Sequence, residues 1–325
     1  MIQNKKIFIA GCKHTTLELI SRIREFINID GILTITPEAA RINQVSGYYD
    51  LTELAKIYDL ELIALNDYSL REKSSKETIL KANIDLILFN GWQRLIPDWF
   101  LSSLSIGAFG MHGSNKPLPH GRGRSPLNWS IIQNKKVFFT HLFKYLPGVD
   151  DGPIVDVQKF DINPFDTILT LHYKNTLSMV KLCEKNINKI VNKEVVLVDQ
   201  PKLTPSYYPK RSKEDGIIFW EDSTEDIHNL IKAVTRPFPG AFSFLENKTK
   251  VTIWNAQPFD NYIEWPNSNF GEILEVFEEG YFLVKTGDST ILVKEYEGIV
   301  INKNQKGMMF HNNNIQRKHW GELPY

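Results

Sequence analysis

The stretch KIFIAGCKHTTLELISRIREFINIDGILTIT, residues 6–36, reads as strand, helix, strand. KIFIAG is a short apolar run closed by a glycine, as in a strand covered on both faces. TTLELISRIREF carries its apolar residues at helical spacing, and DGILTIT returns to a second apolar run. The alternation continues outward along the chain. DLTELAKIYDL predicts a helix with Asp50 as N-cap and Glu53 three residues on, a capping-box arrangement. ELIAL is a third strand, SSKETILKANI a helix, DLILFNG a fourth strand and IGAFGMHG a fifth. Strands alternating with helices predict an α/β domain with a Rossmann-like, mostly parallel sheet and right-handed crossovers.

Farther on, VFFTHLFKYLP and GPIVDVQKFDI read as paired strands, and FDTILTLHYKNTLSMVKLCEKNINKIV as one long amphipathic helix. VDQPKLTPSYYPKR is rich in Pro and Tyr and makes a linker. After it comes the helix STEDIHNLIKAV, then short strands separated by turn signals: FSFLEN, KVTIWNA, FGEILEVFEEG, YFLVKTGD and STILVKEYEG. That spacing predicts a smaller C-terminal β-barrel of OB-like type. The expected division is an α/β domain over residues 1–200 and a helix plus barrel over 201–325.

The 325 residues are 42% hydrophobic and 23% charged, an ordinary balance for a globular protein. Lys and Arg total 38 and so do Asp and Glu, a formal net charge of zero. A general nucleic-acid binder would show a basic excess, so small anionic ligands are the favoured partners. No run reaches the roughly 18 apolar residues of a membrane span. The N-terminal apolar run enters a glycine turn too early for a signal peptide. Cys12 and Cys183 match no metal spacing and suit buried thiols in a reducing cytoplasm. Gly11 stands alone rather than in GxGxxG, so a dinucleotide gains no support.

Candidate chemistry concentrates in GMHGSNKPLPHGRGRSPLNWSIIQNKKVFFTHLFKYLPGVDDG, residues 110–152. His112 sits between glycines at a strand end, where ligands of such sheets bind. Asn90-Gly91-Trp92 falls at another strand end. A lone histidine is most often structural, but this one opens a loop whose glycines permit close backbone approach and whose prolines stiffen it. Arg122 and Arg124 offer forked donors for phosphate or carboxylate, against the plain reading of a solvated basic loop. Asp150 or Asp151, by default a turn acid, could hold the imidazole and stabilise imidazolium. Asn90, Asn115 and Asn128 could each donate to an oxyanion, though each also suits a turn or cap. His120 and His141 are weaker candidates.

The block HGSNKPLPHGRGRSPLNW, residues 112–129, followed by VDDGPIV at 149–155, resembles the folate-dependent formyltransferases. It is most like the sugar N-formyltransferases, with their N-x-H-G/P-S-x-L-P-x-Y-R-G-x-x-P pattern and later D-x-G. YPKRSKEDGIIFWEDSTEDIHNLIKAVTRPFPGAF, residues 208–242, resembles the junction between catalytic domain and C-terminal barrel in that family, so the likeness covers nearly the whole chain. The resemblance implies N10-formyltetrahydrofolate as formyl donor, a primary amine as acceptor and a homodimer. It makes His112 and Asp150 the catalytic pair. Asn90, Gly91, Trp92, Gln93 and Arg94 match the segment that binds the folate cofactor, and Gly113, Ser114, Arg122 and Arg124 the loop that shapes the acceptor side.

In that comparison RGRSPLNW is closer to the sugar enzymes than to methionyl-tRNA formyltransferase, and zero net charge agrees. The implied acceptor is a nucleotide-linked amino sugar, dTDP- or UDP-linked. Tyr207, Tyr208, Trp220 and Phe238 could stack on its base or pack the domain junction. One residue departs from the pattern. The family has asparagine two residues before the histidine, and this chain has Gly110. Either one of the three nearby asparagines substitutes in space, or His112 carries the oxyanion alone, or transfer is lost and a binding protein remains. Retention of His112, the Asp-x-Gly and the arginine loop favours an enzyme. If the position is merely under-supplied, Gly110→Asn should keep or raise activity; a steep loss would mean that another group fills the space.

Overall fold

The computed structural model describes residues 5–246, 248–317 and 323–324. Its main sheet begins with five parallel strands: β1 (Ile7–Ala10), β2 (Gly31–Ile35), β3 (Glu61–Leu65), β4 (Leu86–Phe89) and β5 (Gly107–Ser114). β1, β2 and β4 are buried along their whole length, as continuous aliphatic runs require. The helices α1 (His14–Ile23), α2 (Pro37–Ile42), α3 (Thr52–Ile57), α4 (Lys73–Lys81) and α5 (Asp98–Ser103) fall between the strands. α1 buries Leu19, Ile20 and Ile23 against the sheet.

β5 leads to the short β6 (Arg122–Gly123) and to α6 (Pro126–Ile132). Next, β7 (Val137–Lys144) and β8 (Ile154–Asp161) extend the sheet antiparallel, giving the order β3-β2-β1-β4-β5-β7-β8. The order reverses between β1 and β4, which opens a crevice beyond their carboxyl ends. Gly11 serves that crevice: a Cβ there would lie 2.0 Å from the Asn90 carbonyl oxygen. Close contact of two chain segments explains this glycine without a dinucleotide.

α7 (Ile168–Val191) lies against α1 and the sheet, burying Met179, Leu182, Cys183, Ile187 and Ile190. The linker contributes β9 (Ser206–Tyr208), paired with β6, and α8 (Thr224–Val234) follows with Ser223 as its N-cap. Then come β10 (Ala241–Leu245), β11 (Lys250–Pro258), β12 (Ile273–Val276), β13 (Phe282–Lys285), β14 (Thr290–Glu297) and β15 (Phe310–His311), in the order β12-β13-β14-β11-β10-β15. The Glu272–Met309 bridge brings the two edges together, so the C-terminal sheet curls into a barrel. β16 (Leu323–Pro324) adds to β9.

One apolar core crosses from the first half to the second. Leu127 and Ile131 of α6 and Ile168 and Leu171 of α7 cluster with Ile227 and Ile231 of α8 and with the barrel interior. Trp220 and Phe310 stack inside that core with centroids 5.4 Å apart.

Two local expectations change. α3 starts at Thr52 with Leu51 at the N-cap, because Asp50 lies one residue too far out; its Oδ1 accepts from the Thr52 backbone N–H at 2.9 Å. Glu53 turns to Lys56 rather than reaching back. The helices α2, α5 and α6 were not anticipated: each is only six or seven residues long, too short to show a period.

Candidate active site

β5 outruns its parallel neighbour. It pairs with β4 as far as Gly110, then continues beside β7 alone to Ser114. His112 stands on that projecting end, 9% exposed, beyond the carboxyl edge of the sheet. Its Nδ1 lies 3.4 Å from Asp150 Oδ2 and its Nε2 2.9 Å from the Gly121 carbonyl oxygen. Both ring nitrogens thus face oxygen acceptors.

Asp150 rather than Asp151 makes this contact. Asp150 adopts a left-handed backbone, φ 49°, in the turn between β7 and β8, and its Oδ2 also accepts from the Gly123 N–H at 3.4 Å. The Asp151 carboxylate packs instead on Gly148, where a Cβ would be 1.8 Å from Oδ2. Gln200 holds the turn. Its Nε2 donates to the carbonyls of Asp150 at 2.8 Å and Gly152 at 2.9 Å, while its Oε1 accepts from Arg122 Nη2 at 2.6 Å. Gln200→Leu should therefore lower stability by about 1–3 kcal/mol by leaving these groups unpaired. Urea denaturation would show a lower midpoint at an unchanged slope.

His141 has a different part. Burial pushes it down to about 4, so the ring is neutral. Its Nδ1 donates to the His112 carbonyl at 3.3 Å and its Nε2 accepts from the Leu118 N–H at 3.3 Å. It ties the loop to the strand that carries His112.

The crevice wall is cationic. Lys13 stands three residues beyond the end of β1 and itself bridges to Tyr48. Burial, opposed by Cys12 and aided by Arg124, pulls its ammonium down to about 8. Arg124 is likewise lowered, first by burial, with Arg94 adding like-charge repulsion. Arg124 Nη2 donates to Gln93 Oε1 at 2.8 Å; Arg94 donates to Asn43 Oδ1 at 3.2 Å and lies over the Tyr68 ring at 4.7 Å. These partners are neutral, and among the described residues no carboxylate pairs with the three cations. Such a wall attracts an anion.

The family model for formyl transferase matches residues 8–179, and that for the formyl transferase C-terminal domain matches 210–303. The chain belongs to the formyl transferase family. Solved structures agree with this fold. WlaRD, a sugar 3N-formyl transferase crystallised with dTDP and 5-N-formyl-THF, is 18% identical with a TM-score of 0.63, over 90% of this chain and 98% of its own. The N-formyltransferase from Helicobacter canadensis, in complex with folinic acid and dTDP-3-aminofucose, is 21% identical with a TM-score of 0.62, over 90% and 100%. HypX from Aquifex aeolicus in complex with tetrahydrofolic acid is 17% identical with a TM-score of 0.61; the chain spans 44% of that longer protein.

In this formyl transferase the expected site residues fall into two groups. His112, Asp150, Gln93, Arg94 and Arg124 gather at the crevice. Gly91 lines it with φ 81°, and a Cβ there would come within 3.1 Å of Thr16 Oγ1. Trp92 packs edge-on against Tyr68 and Phe89, and its Nε1–H is buried without a partner among the described residues. An unpaired donor beside a left-handed glycine fits a flat heterocycle rich in acceptors, as a pterin is.

Other candidates are engaged in the framework. Asn90 turns toward the α1–α7 side, donating to the Thr15 carbonyl at 3.3 Å. Asn115 Nδ2 lies 2.5 Å from Tyr208 Oη, and Asn128 Nδ2 donates to the Ala233 carbonyl of α8 at 2.7 Å. None of the three amides replaces a side chain at position 110. Arg122, expected on the loop as an anion fork, is spent on Gln200. Gly113 makes room for Phe138, whose ring would be 2.2 Å from a Cβ, and Ser114 is fully buried. The junction aromatics pack: Tyr208 on Trp129, Phe238 on His172, and Trp220 in the core, while Tyr207 Oη accepts from Arg122.

What does fill the space at 110 is Tyr145. A Cβ on Gly110 would lie 2.4 Å from Cε1, 2.6 Å from Cζ and 2.7 Å from Oη of that tyrosine. The ring stacks between Phe89, 5.1 Å away at 7°, and Phe143, 5.1 Å away at 24°. Lys13, Gln200 and Tyr145 are not among the residues that the sequence pattern marks. Only Lys13 carried a signal, being a cation next to a strand end.

Proposed function

We propose that this formyl transferase moves the formyl group of N10-formyltetrahydrofolate onto the primary amine of a nucleotide-linked amino sugar. The observation that carries the reading is the His112–Asp150 pair opening onto a crevice that also gathers Lys13, Arg94 and Arg124. The pair supplies acid–base chemistry, and the cations suit a diphosphate.

The donor brings an activated formyl group. The amine nitrogen attacks its carbon, the C=O pair moves onto oxygen, and the bond to folate nitrogen then breaks with its pair on that nitrogen. His112 would accept the amine proton on Nε2 as the amine takes the place of the Gly121 carbonyl there, and return it to the leaving nitrogen. Asp150 holds the ring and offsets its positive charge. The Gly91–Arg94 segment would hold the pterin, and Lys13 and Arg124 the diphosphate.

Two observations favour a sugar acceptor over initiator tRNA. The charge balance is zero, and the sugar N-formyltransferases are matched over 98% and 100% of their length. The test follows tetrahydrofolate release with 10-formyltetrahydrofolate and a panel of dTDP- and UDP-linked amino sugars. Release with one of them is expected; no release, or release only with methionyl-tRNA, overturns the reading. Gel filtration with light scattering tests the homodimer that belongs to the same reading.

Lys13 adds a pH signature. Its charge is present below about 8 and lost above it, so nucleoside diphosphate affinity should fall between pH 7 and 9. Titration calorimetry on wild type and Lys13→Met checks this: the variant should bind more weakly and lose most of the pH dependence.

A further inference from the structure

We propose that the Tyr145 hydroxyl is the hydrogen-bond donor for the oxyanion formed when the amine attacks the formyl carbon, a role resting on the formyl-transfer reading above. Gly110 and His112 are two residues apart on β5 and present the same face. The Tyr145 phenol reaches across Gly110 on that face, with Oη 2.7 Å from where a Cβ would stand. A donor delivered by Tyr145 therefore occupies the place where a side chain from position 110 would deliver one, next to His112.

The ring is held for that task. The Phe89 and Phe143 rings grip its two faces, and the Tyr145 backbone N–H donates to the Ala108 carbonyl at 2.8 Å. The residue as a whole is half-buried. Burial of the ring, and after it the Asp150 charge, raise the phenol well above its ordinary range. It stays protonated throughout the working pH and can donate without ionising. A pre-aimed donor is what an incipient oxyanion needs. The competing amides are engaged: Asn90 at Thr15, Asn115 at Tyr208 and Asn128 at Ala233.

The hydroxyl transfers no proton in this role. As the new C–N bond forms, the carbonyl pair moves onto oxygen and the Tyr145 O–H bond shares its hydrogen with it. When the C=O bond re-forms and the bond to folate nitrogen breaks, the amine proton travels by way of His112 to the leaving nitrogen. No oxidant or further reactant is involved.

The test is Tyr145→Phe in the full chain, with wild type and the same acceptor panel. The ring stacking survives this change. The expected result is a fall in kcat of about 100-fold, the size typical for loss of one oxyanion donor, with KM within about threefold. Thermal midpoint and affinity for 5-formyltetrahydrofolate, a non-reacting probe, should match wild type. A variant with kcat within about threefold of wild type overturns the inference while leaving the formyl-transfer reading intact. A loss of activity matched by an equal loss of probe affinity or of folded protein also overturns it, since that marks a packing role. Wild type that releases no tetrahydrofolate overturns both.

Discussion

His112→Asn should lower the rate of formyl transfer by about 10²–10⁴-fold, the contribution of a positioned general base, and should leave the fold unchanged. The imidazole stands between the Asp150 carboxylate, 3.4 Å from Nδ1, and the Gly121 carbonyl oxygen, 2.9 Å from Nε2. Asparagine retains a polar head that can donate to one of these acceptors but cannot take up a proton. His112 lies at the edge of the sheet rather than inside an apolar cluster, so little packing is lost. Steady-state tetrahydrofolate release should show the fall in kcat, while far-ultraviolet circular dichroism and thermal midpoint stay at wild-type values. Near-normal turnover would remove His112 from the mechanism.

Gly110→Asn has the second largest expected effect, and its sign is opposite to that of a simply under-supplied site. The new Cβ alone would stand 2.4 Å from the Tyr145 ring, which cannot retreat because Phe89 and Phe143 grip both faces. Overpacking of this kind costs about 1–3 kcal/mol. Displacing the ring would also remove the hydroxyl from its position, so activity should collapse together with stability. The double substitution Gly110→Asn, Tyr145→Ala removes the obstruction and should regain activity over the single Gly110 variant. If Gly110→Asn alone is as active and as stable as wild type, the tyrosine does not own that space.

Much of the fold was legible because its signals are local. The five parallel strands are apolar runs punctuated by turns, and α7 is long enough to display its period. The site was legible where sequence neighbours are spatial neighbours, as at His112 and the loop behind it. It was less so where register decides. The residues alone leave Asp150 and Asp151 open and only the resemblance chooses Asp150; the contact itself depends on a left-handed φ of 49° that either acid could adopt. Tyr145 could not be linked to Gly110 before β5 and β7 were known to pair Gly110 with Phe143, which sets Tyr145 on the same face. Arg122 and Arg124 looked equivalent, yet one props the Asp150 turn and the other faces the crevice. Gln200 is 50 residues from the turn it braces, and nothing in its own surroundings marks it.

That brace bears on how such enzymes can be recombined. The N-terminal family match ends at residue 179, but the chain from Gln200 to Tyr208 doubles back over the site. It carries the amide that clasps the Asp150 turn and the strand that zips to Arg122 and Gly123. A graft that exchanges C-terminal barrels must therefore cut after Tyr208. A junction placed earlier would hand the recipient a histidine whose acid is no longer tethered, and the chimera would fold around a slack active site.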